Sequence, residues 1–417
     1  MSVSTRTRPY RTHQLWMVGL AAVAFFASGP GQSYLISVFV DEFLAGTGLS
    51  RTVFSGLYAG GTVVSAASML VLGRVVDRQG LRAAWIVVTV TLAVACGVAS
   101  VATGAFVAFV ALAMLRTFGQ GSFPLVGTLI VTRSFERRRG QAMAVANLGM
   151  TLGSVVLPPL TVALILATGW RHAYQLLGLA LLVLVLPLAW LVRQGPARAD
   201  DDSREGVPSE SFPPAMRSSS RLPRLSLPTR EAGQVLFVLA AAPLVGTALT
   251  FHAVSILGER GLSFVQAGFA LSILGGAALA GTVLFGLVAD RFSTRILLTM
   301  VSLAVLTGAS VLLVPHEYAA YMAFATLGVG MGGNGVVNGI VWARTFGLAQ
   351  IGRIQGTAQS SMITAAAIAP LVPAISHGIT GGYAPGLLVL CGFTTLTLLA
   401  AISWRDPRDL HIATARG

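Results

Sequence analysis

Gly73-Arg74-Val75-Val76-Asp77-Arg78-Gln79-Gly80-Leu81-Arg82 returns 213 residues later as Gly286-Leu287-Val288-Ala289-Asp290-Arg291-Phe292-Ser293-Thr294-Arg295. The glycine, the acid and two arginines keep their spacing. Working outward, the same offset carries Gly48-Leu49-Ser50 onto Gly261-Leu262-Ser263 and Pro30 onto Pro243. Further on, an offset of 211 carries Gly119, Gly121, Arg133 and Phe135 onto Gly330, Gly332, Arg344 and Phe346. Chance seldom reproduces spaced charges and spaced glycines together, so the chain reads as two copies of one unit.

Composition says what surrounds those copies. Of the 417 residues, 54% are hydrophobic and only 10% charged, with a mean hydropathy of +0.77. A soluble chain carries about 25% charged residues, so lipid is the expected solvent here. The net charge of +13 comes from 28 arginines and no lysine, a bias that reads as genomic base composition. These arginines punctuate apolar runs and do not cluster on a wettable face, so nucleic-acid binding is not expected. Cys96 and Cys391 stand apart in apolar runs, which excludes a disulfide framework and gives no zinc pattern. No metal or cofactor is expected. The first apolar run, 15–43, exceeds the core of a cleavable signal and lacks a small-residue cleavage site, so it reads as a membrane helix.

Apolar runs of membrane-crossing length predict twelve spans: 14–42, 50–76, 82–103, 105–132, 139–166, 172–193, 232–257, 263–289, 296–314, 317–343, 353–377 and 382–404. The stretch 194–230, rich in Pro, Ser, Asp and Arg, cannot bury itself and reads as a flexible linker. The expected organisation is an N-terminal six-helix bundle (1–193), the linker, a C-terminal six-helix bundle (231–404) and a tail (405–417). With the N-terminus inside, 24 of the 28 arginines fall in cytoplasmic segments, leaving Arg51, Arg171 and Arg260 outside and Arg116 within a helix. The positive-inside bias therefore predicts cytoplasmic termini and linker. Parallel six-helix repeats of this kind are a transporter layout, with the solute site between the halves at mid-bilayer.

The quoted stretch resembles the signature of the major facilitator superfamily, G-x-x-x-D-R-x-G-R-[RK], with Leu81 replacing a basic residue. The second copy lacks the later glycine. The resemblance covers about 14–404 and implies an all-α membrane protein: twelve transmembrane helices in two pseudo-symmetric bundles. It also implies that Gly73, Asp77, Arg78 and Arg82, with Asp290 and Arg291, form a latch for one access state. Arg116-Thr117-Phe118-Gly119-Gln120-Gly121 matches the family's pattern in the fourth helix. The drug–proton antiporter ending of the fifth helix, G-P-x-x-G-G, is replaced by Gly149, Gly153 and Pro158-Pro159. The segment Phe135 to Ala144 is similar to the helix 4–5 junction of the monocarboxylate and oxalate/formate transporter groups. The opening helix, with Gly29-Pro30-Gly31-Gln32-Ser33-Tyr34, is similar to bacterial members near those groups, which implies a bacterial inner membrane. Those groups usually keep an Arg in helix 8. Here Phe264 to Ala289 carries no charge.

A charge within a membrane helix costs about 2.5–3.5 kcal/mol on insertion scales, so each is a functional candidate. Arg116 is a candidate anion or proton-linked site, or else an arginine satisfied by backbone carbonyls that locks helix 4 to its neighbours. His252 is a candidate proton acceptor, or a neutral imidazole held in the packing. Gln32, Tyr34, Gln120, Asn147, Asn334, Asn338 and Gln359 are uncharged polar groups at comparable depth that face one another or a wet cavity. The family's cavity-lining helices are the first, fourth, seventh and tenth, which favours Gln32, Tyr34, Gln120, Asn334 and Asn338. Arg133 and Arg344, at matching helix ends, read as latch or headgroup residues. Asp41 reads as an outer rim group, and the clustered glycines near Gly330 read as close helix packing.

The leading expectation is a secondary transporter of a small-molecule substrate, favouring an organic anion such as a monocarboxylate, with protons as a candidate coupling ion. Alternatives are a drug or neutral-solute transporter, or a non-transporting sensor on the same fold. An embedded enzyme would need an acid–base or metal cluster, and no helix centre holds a carboxylate. A monomer in the lipid bilayer is expected.

Overall fold

The computed structural model describes residues 12–135, 139–192, 230–289, 291–346 and 351–405. The linker, the tail beyond 405, Asp290, and the side chains of Gly73, Asp77, Arg78 and Gln359 lie outside the described residues. Every long regular element that is described is helical: α1 (Thr12–Ala27), α2 (Ser33–Thr47), α3 (Arg51–Ser100), α4 (Ala105–Met114), α5 (Phe123–Ser134), α6 (Arg139–Thr168) and α7 (Trp170–Ala180) make the first half. The second half holds α8 (Arg230–Phe251), α9 (Ala253–Glu259), α10 (Phe264–Val288), α11 (Thr294–Val311), α12 (Glu317–Phe346), α13 (Ile351–Ile368), α14 (Leu371–Thr380) and α15 (Ala384–Ser403). Lipid offers the backbone no partner, so each crossing satisfies its own amides in a helix.

Ten described segments are by themselves long and apolar enough to cross a membrane. The first part of α3 and the 30-residue α12, about 45 Å long at 1.5 Å per residue, supply the other two crossings of the fold. Several crossings are composite. The first is α1, a tight turn at Gly29–Gly31, and α2. The second and third follow one another through α3, whose direction changes at Gly80 (φ +83°). The fourth is α4, a widened turn over Leu115–Ser122, and α5. The seventh is α8 and α9, parted at His252. The eleventh is α13 and α14, parted at Pro370.

The repeat is visible in the geometry. Gly48 and Gly261 both adopt positive φ, +69° and +82°, which a side chain would resist. Ser50 and Ser263, two residues on, cap the next helices by accepting from Val53 N and Gln266 N. Helix association in lipid depends on packing more than on the hydrophobic effect, and glycine permits the closest approaches. In the second half, a Cβ on Gly332 would fall 1.9 Å from Ala278 O, and one on Gly281 would fall 2.3 Å from Val329 O. The clustered glycines thus hold α10 against α12.

Candidate functional site

The first site element grows from a close backbone approach. A Cβ on Gly31 would lie 2.1 Å from Leu115 O, and one on Gly119 would lie 2.6 Å from Gly31 Cα. Only glycine at both places lets the tight turn of the first crossing meet the widened turn of the fourth. Within that widened turn the backbone skips a register, and Ser122 Oγ donates to Thr117 O at 2.6 Å. Arg116 emerges there, 1% exposed. Its Nη1 donates to Gly31 O (3.2 Å), its Nε donates to Thr62 Oγ1 (3.0 Å), and Cζ stands 4.5 Å from the centroid of Tyr58. The carbonyl of Arg116 accepts from Ser65 Oγ at 3.1 Å. Among the described residues it is the one buried Arg, Asp or Glu, and no carboxylate there pairs with it.

The second element closes one end of the molecule. Asp41, within α2, accepts from Arg51 Nη2 (2.7 Å) and from Ser255 Oγ (2.6 Å) through the same oxygen. Arg51 Nη1 donates to Ser255 Oγ at 2.5 Å. Asp41 and Arg51 belong to the first half and Ser255 to the second, so a neutral hydroxyl plugs a charged fork across the interface. Beside it, Thr52 Oγ1 donates to Ala374 O at 3.2 Å. The Tyr383 ring lies between the Arg51 guanidinium (5.7 Å) and His377 (4.9 Å), and His377 Nε2 is 3.4 Å from Glu259. His252, fully buried, donates through Nε2 to Pro370 O at 2.9 Å.

The third element is a seam between α6 and α10. Pro159 has no N–H to offer Val155 O four residues back. Ser272 of the other half takes that carbonyl instead, donating at 2.6 Å. Gly275 and Gly268 let α10 approach, since a Cβ there would meet Ser154 Oγ at 2.4 Å and Val162 at 3.0 Å.

The polar residues singled out from sequence divide between these elements. Gln32 Nε2 donates to Ser28 Oγ at 3.0 Å, next to the Gly31 turn, and half-buried Gln120 lies on the widened turn itself. Tyr34 is buried with its hydroxyl unpartnered, close to Gly29 and Gly153. Asn334 is buried with Oδ1 unpartnered, whereas Asn338 Oδ1 accepts from Trp342 Nε1 of the same helix at 3.0 Å. Asn147 is exposed on α6. Arg344 Nη1 donates to Ala289 O (2.7 Å), tying α12 to the turn after α10. Arg82 Nη2 reaches Trp190 O at 3.5 Å, while Arg133 and Arg291 are exposed. Sequence reading did not single out Arg51, Ser255, Tyr58 or Ser272. Their partners lie 10 to 214 residues away, and no spacing announces them.

The family described as Major Facilitator Superfamily matches residues 21–370. The riboflavin transporter RibJ of Trypanosoma brucei brucei is 26% identical over 210 residues. That match spans 48% of this chain and only 38% of RibJ. Among solved structures, a bacterial homologue of the human lysosomal transporter Spinster, inward-facing and unoccupied, superimposes with a TM-score of 0.72 at 14% identity, over 95% of this chain and 98% of that one. A D-xylose–proton symporter gives 0.71 at 16% identity, over 95% and 99%. At such identities the likeness is one of fold.

Proposed function

The chain belongs to the major facilitator superfamily, and we propose that it carries a small organic anion, such as a monocarboxylate, by rocking its two halves about a central site. It is a transporter of a small solute, not an enzyme. The observation that carries the anion reading is Arg116, the buried cation with no carboxylate partner among the described residues. A substrate carboxylate supplies the missing countercharge and can exchange for the Gly31 carbonyl as the guanidinium's partner. An Arg fork suits a carboxylate better than a point charge does. Gln32, Tyr34, Gln120, Asn147, Asn334, Asn338 and Gln359 are the proposed polar lining. Proton coupling falls to His252, with Asp41 nearer the end of its bundle.

We place the chain as a monomer in a bacterial inner membrane, termini inside, on the arginine distribution. The Asp41–Arg51–Ser255 end then faces outward, and the conformation is closed outside. The latch role stays with Gly73, Asp77, Arg78, Arg82, Asp290, Arg291, Arg133 and Arg344.

One observation favours a second reading, a neutral solute. The Arg116 donors already meet Thr62 and Gly31, and its face meets Tyr58, as a purely structural arginine would arrange. A thermal-shift screen of purified protein separates the two. Stabilisation by short carboxylates that disappears in Arg116→Gln supports the anion. Stabilisation by neutral sugars or flavins alone, unchanged in Arg116→Gln, supports the second reading.

A further inference from the structure

Tyr58 is fully buried on α3 and touches three other crossings at once. Its hydroxyl shares a hydrogen with Ser33 Oγ of the first crossing at 2.6 Å. Its ring carries the Arg116 guanidinium of the fourth crossing at 4.5 Å. The same ring packs on Phe251 of the seventh crossing, centroids 4.3 Å apart at 54°. A second link runs through the backbone, because Tyr58 O accepts from Thr62 Oγ1 (2.9 Å) and that hydroxyl accepts from Arg116 Nε.

Phe251 is no ordinary neighbour. It is the last residue of α8, and His252 beside it leaves helical geometry at φ −100°, ψ 14°. From that break the imidazole reaches Pro370 O, where the eleventh crossing is itself parted, and α9 goes on to place Ser255 in the Asp41–Arg51 fork. The column Arg116–Tyr58–Phe251 therefore runs from the buried cation of one half to the hinge of the other half's closing segment.

We infer that Tyr58 is a positioning residue that makes the closed end depend on the charge at Arg116. The inference rests on the transport reading above. A guanidinium in a dry environment attracts the ring face strongly, which fixes the ring and, through it, Phe251. An anion arriving at Arg116 cancels much of that attraction and loosens Phe251, which favours opening of the Asp41 end. Coupling of this kind is a differential contact made in one state and lost in the other.

The test reads the closed end directly and needs no substrate. Spin labels at Thr168→Cys and Gly258→Cys, one in each half, report its opening by electron–electron double resonance in a Cys96→Ala, Cys391→Ala background. Tyr58→Leu is expected to raise the open-to-closed ratio about tenfold, the scale of a desolvated cation–π contact. Arg116→Gln should raise it comparably, and the two together should do no more than either alone. Tyr58→Phe keeps the ring and should stay within about twofold of the parent. Phe251→Leu, in the other half, should reproduce Tyr58→Leu, and it carries the test if Tyr58→Leu does not fold. Additive effects of Tyr58→Leu and Arg116→Gln, or an unchanged ratio in Phe251→Leu, would overturn the inference. Failure of the parent protein to transport anything would instead sink the transport reading and leave these distances standing.

Discussion

Pro30 and Pro243 occupy the same place in the two halves, yet only the first lies at a helix break. Around Pro30 stand Gly29 and Gly31, and the chain makes a tight turn there. Around Pro243 stand Ala242 and Leu244, and α8 runs straight through. A proline removes one backbone bond, which a membrane helix can absorb. What opens the first crossing is the absence of side chains, which lets Gly31 meet Gly119 and deliver its carbonyl to Arg116. The partner position of Arg116, at the offset of 211, is Leu327, buried in the uninterrupted α12. The second half keeps its irregularity for His252, at the closed end. From a common plan, one half holds a buried arginine at its break and the other a buried histidine.

Copying the second half into the first should break this division most severely. Gly31→Leu installs the residue found at 244 and drives a side chain into Leu115 O, at a cost of about 3 kcal/mol or more. Melting in detergent should drop sharply, and transport should vanish. A normal melting profile would mean that the two turns do not need their close approach.

Next in size is the seam. Ser272→Ala strands the Val155 carbonyl that Pro159 has freed, which should cost about 1–3 kcal/mol. Pro159→Ala restores the missing N–H, so Ser272→Ala should then be nearly neutral. Equal costs in both backgrounds, measured by thermal or denaturant unfolding, would show that Pro159 does not create the need for the interhelical bond.

A smaller effect is expected at His252. It is enclosed by Pro370, Phe251 and Tyr383, with Arg51, Asp41 and His377 the nearby charged or titratable groups. Only an open outer end exposes it to solvent, where an imidazole titrates near pH 6.5. Uptake should rise as external pH falls through about 6.5, and His252→Gln should flatten that rise without abolishing downhill exchange. An identical pH profile in His252→Gln would remove it from the mechanism.

Smallest of all should be the linker. Deleting ten residues within 200–220 leaves about 25 to join the halves, roughly 80 Å when extended. Transport should persist. Complete loss at normal expression would mean that this segment is folded or regulatory.

The fold was legible because its signals are local and repeated. Apolar length marks the crossings, Gly-Leu-Ser marks the matched turns, and the repeated Asp-Arg motif ties the halves together. The buried Arg116 was legible too, since a charge stands out in an apolar run. Its partners were not. Tyr58 and Thr62 look like ordinary helix residues until Gly31 and Gly119 bring three crossings together. Asp41 read as a rim group because nothing near it in sequence reveals Ser255, 214 residues away. Pro158-Pro159 signalled a departure from an antiporter pattern. That Pro159 frees a carbonyl for the other half appears only once α10 lies alongside.

Binding of an anion at Arg116 is tested by uptake of labelled short monocarboxylates into proteoliposomes, with purified parent protein, Arg116→Gln and Arg116→Lys compared at one fixed pH. Saturable uptake by the parent is expected, weakened by at least about tenfold in Arg116→Gln and less in Arg116→Lys, which keeps the charge but not the fork. Uptake of neutral solutes but no carboxylate by the parent, or the same carboxylate KM in all three proteins, would contradict it.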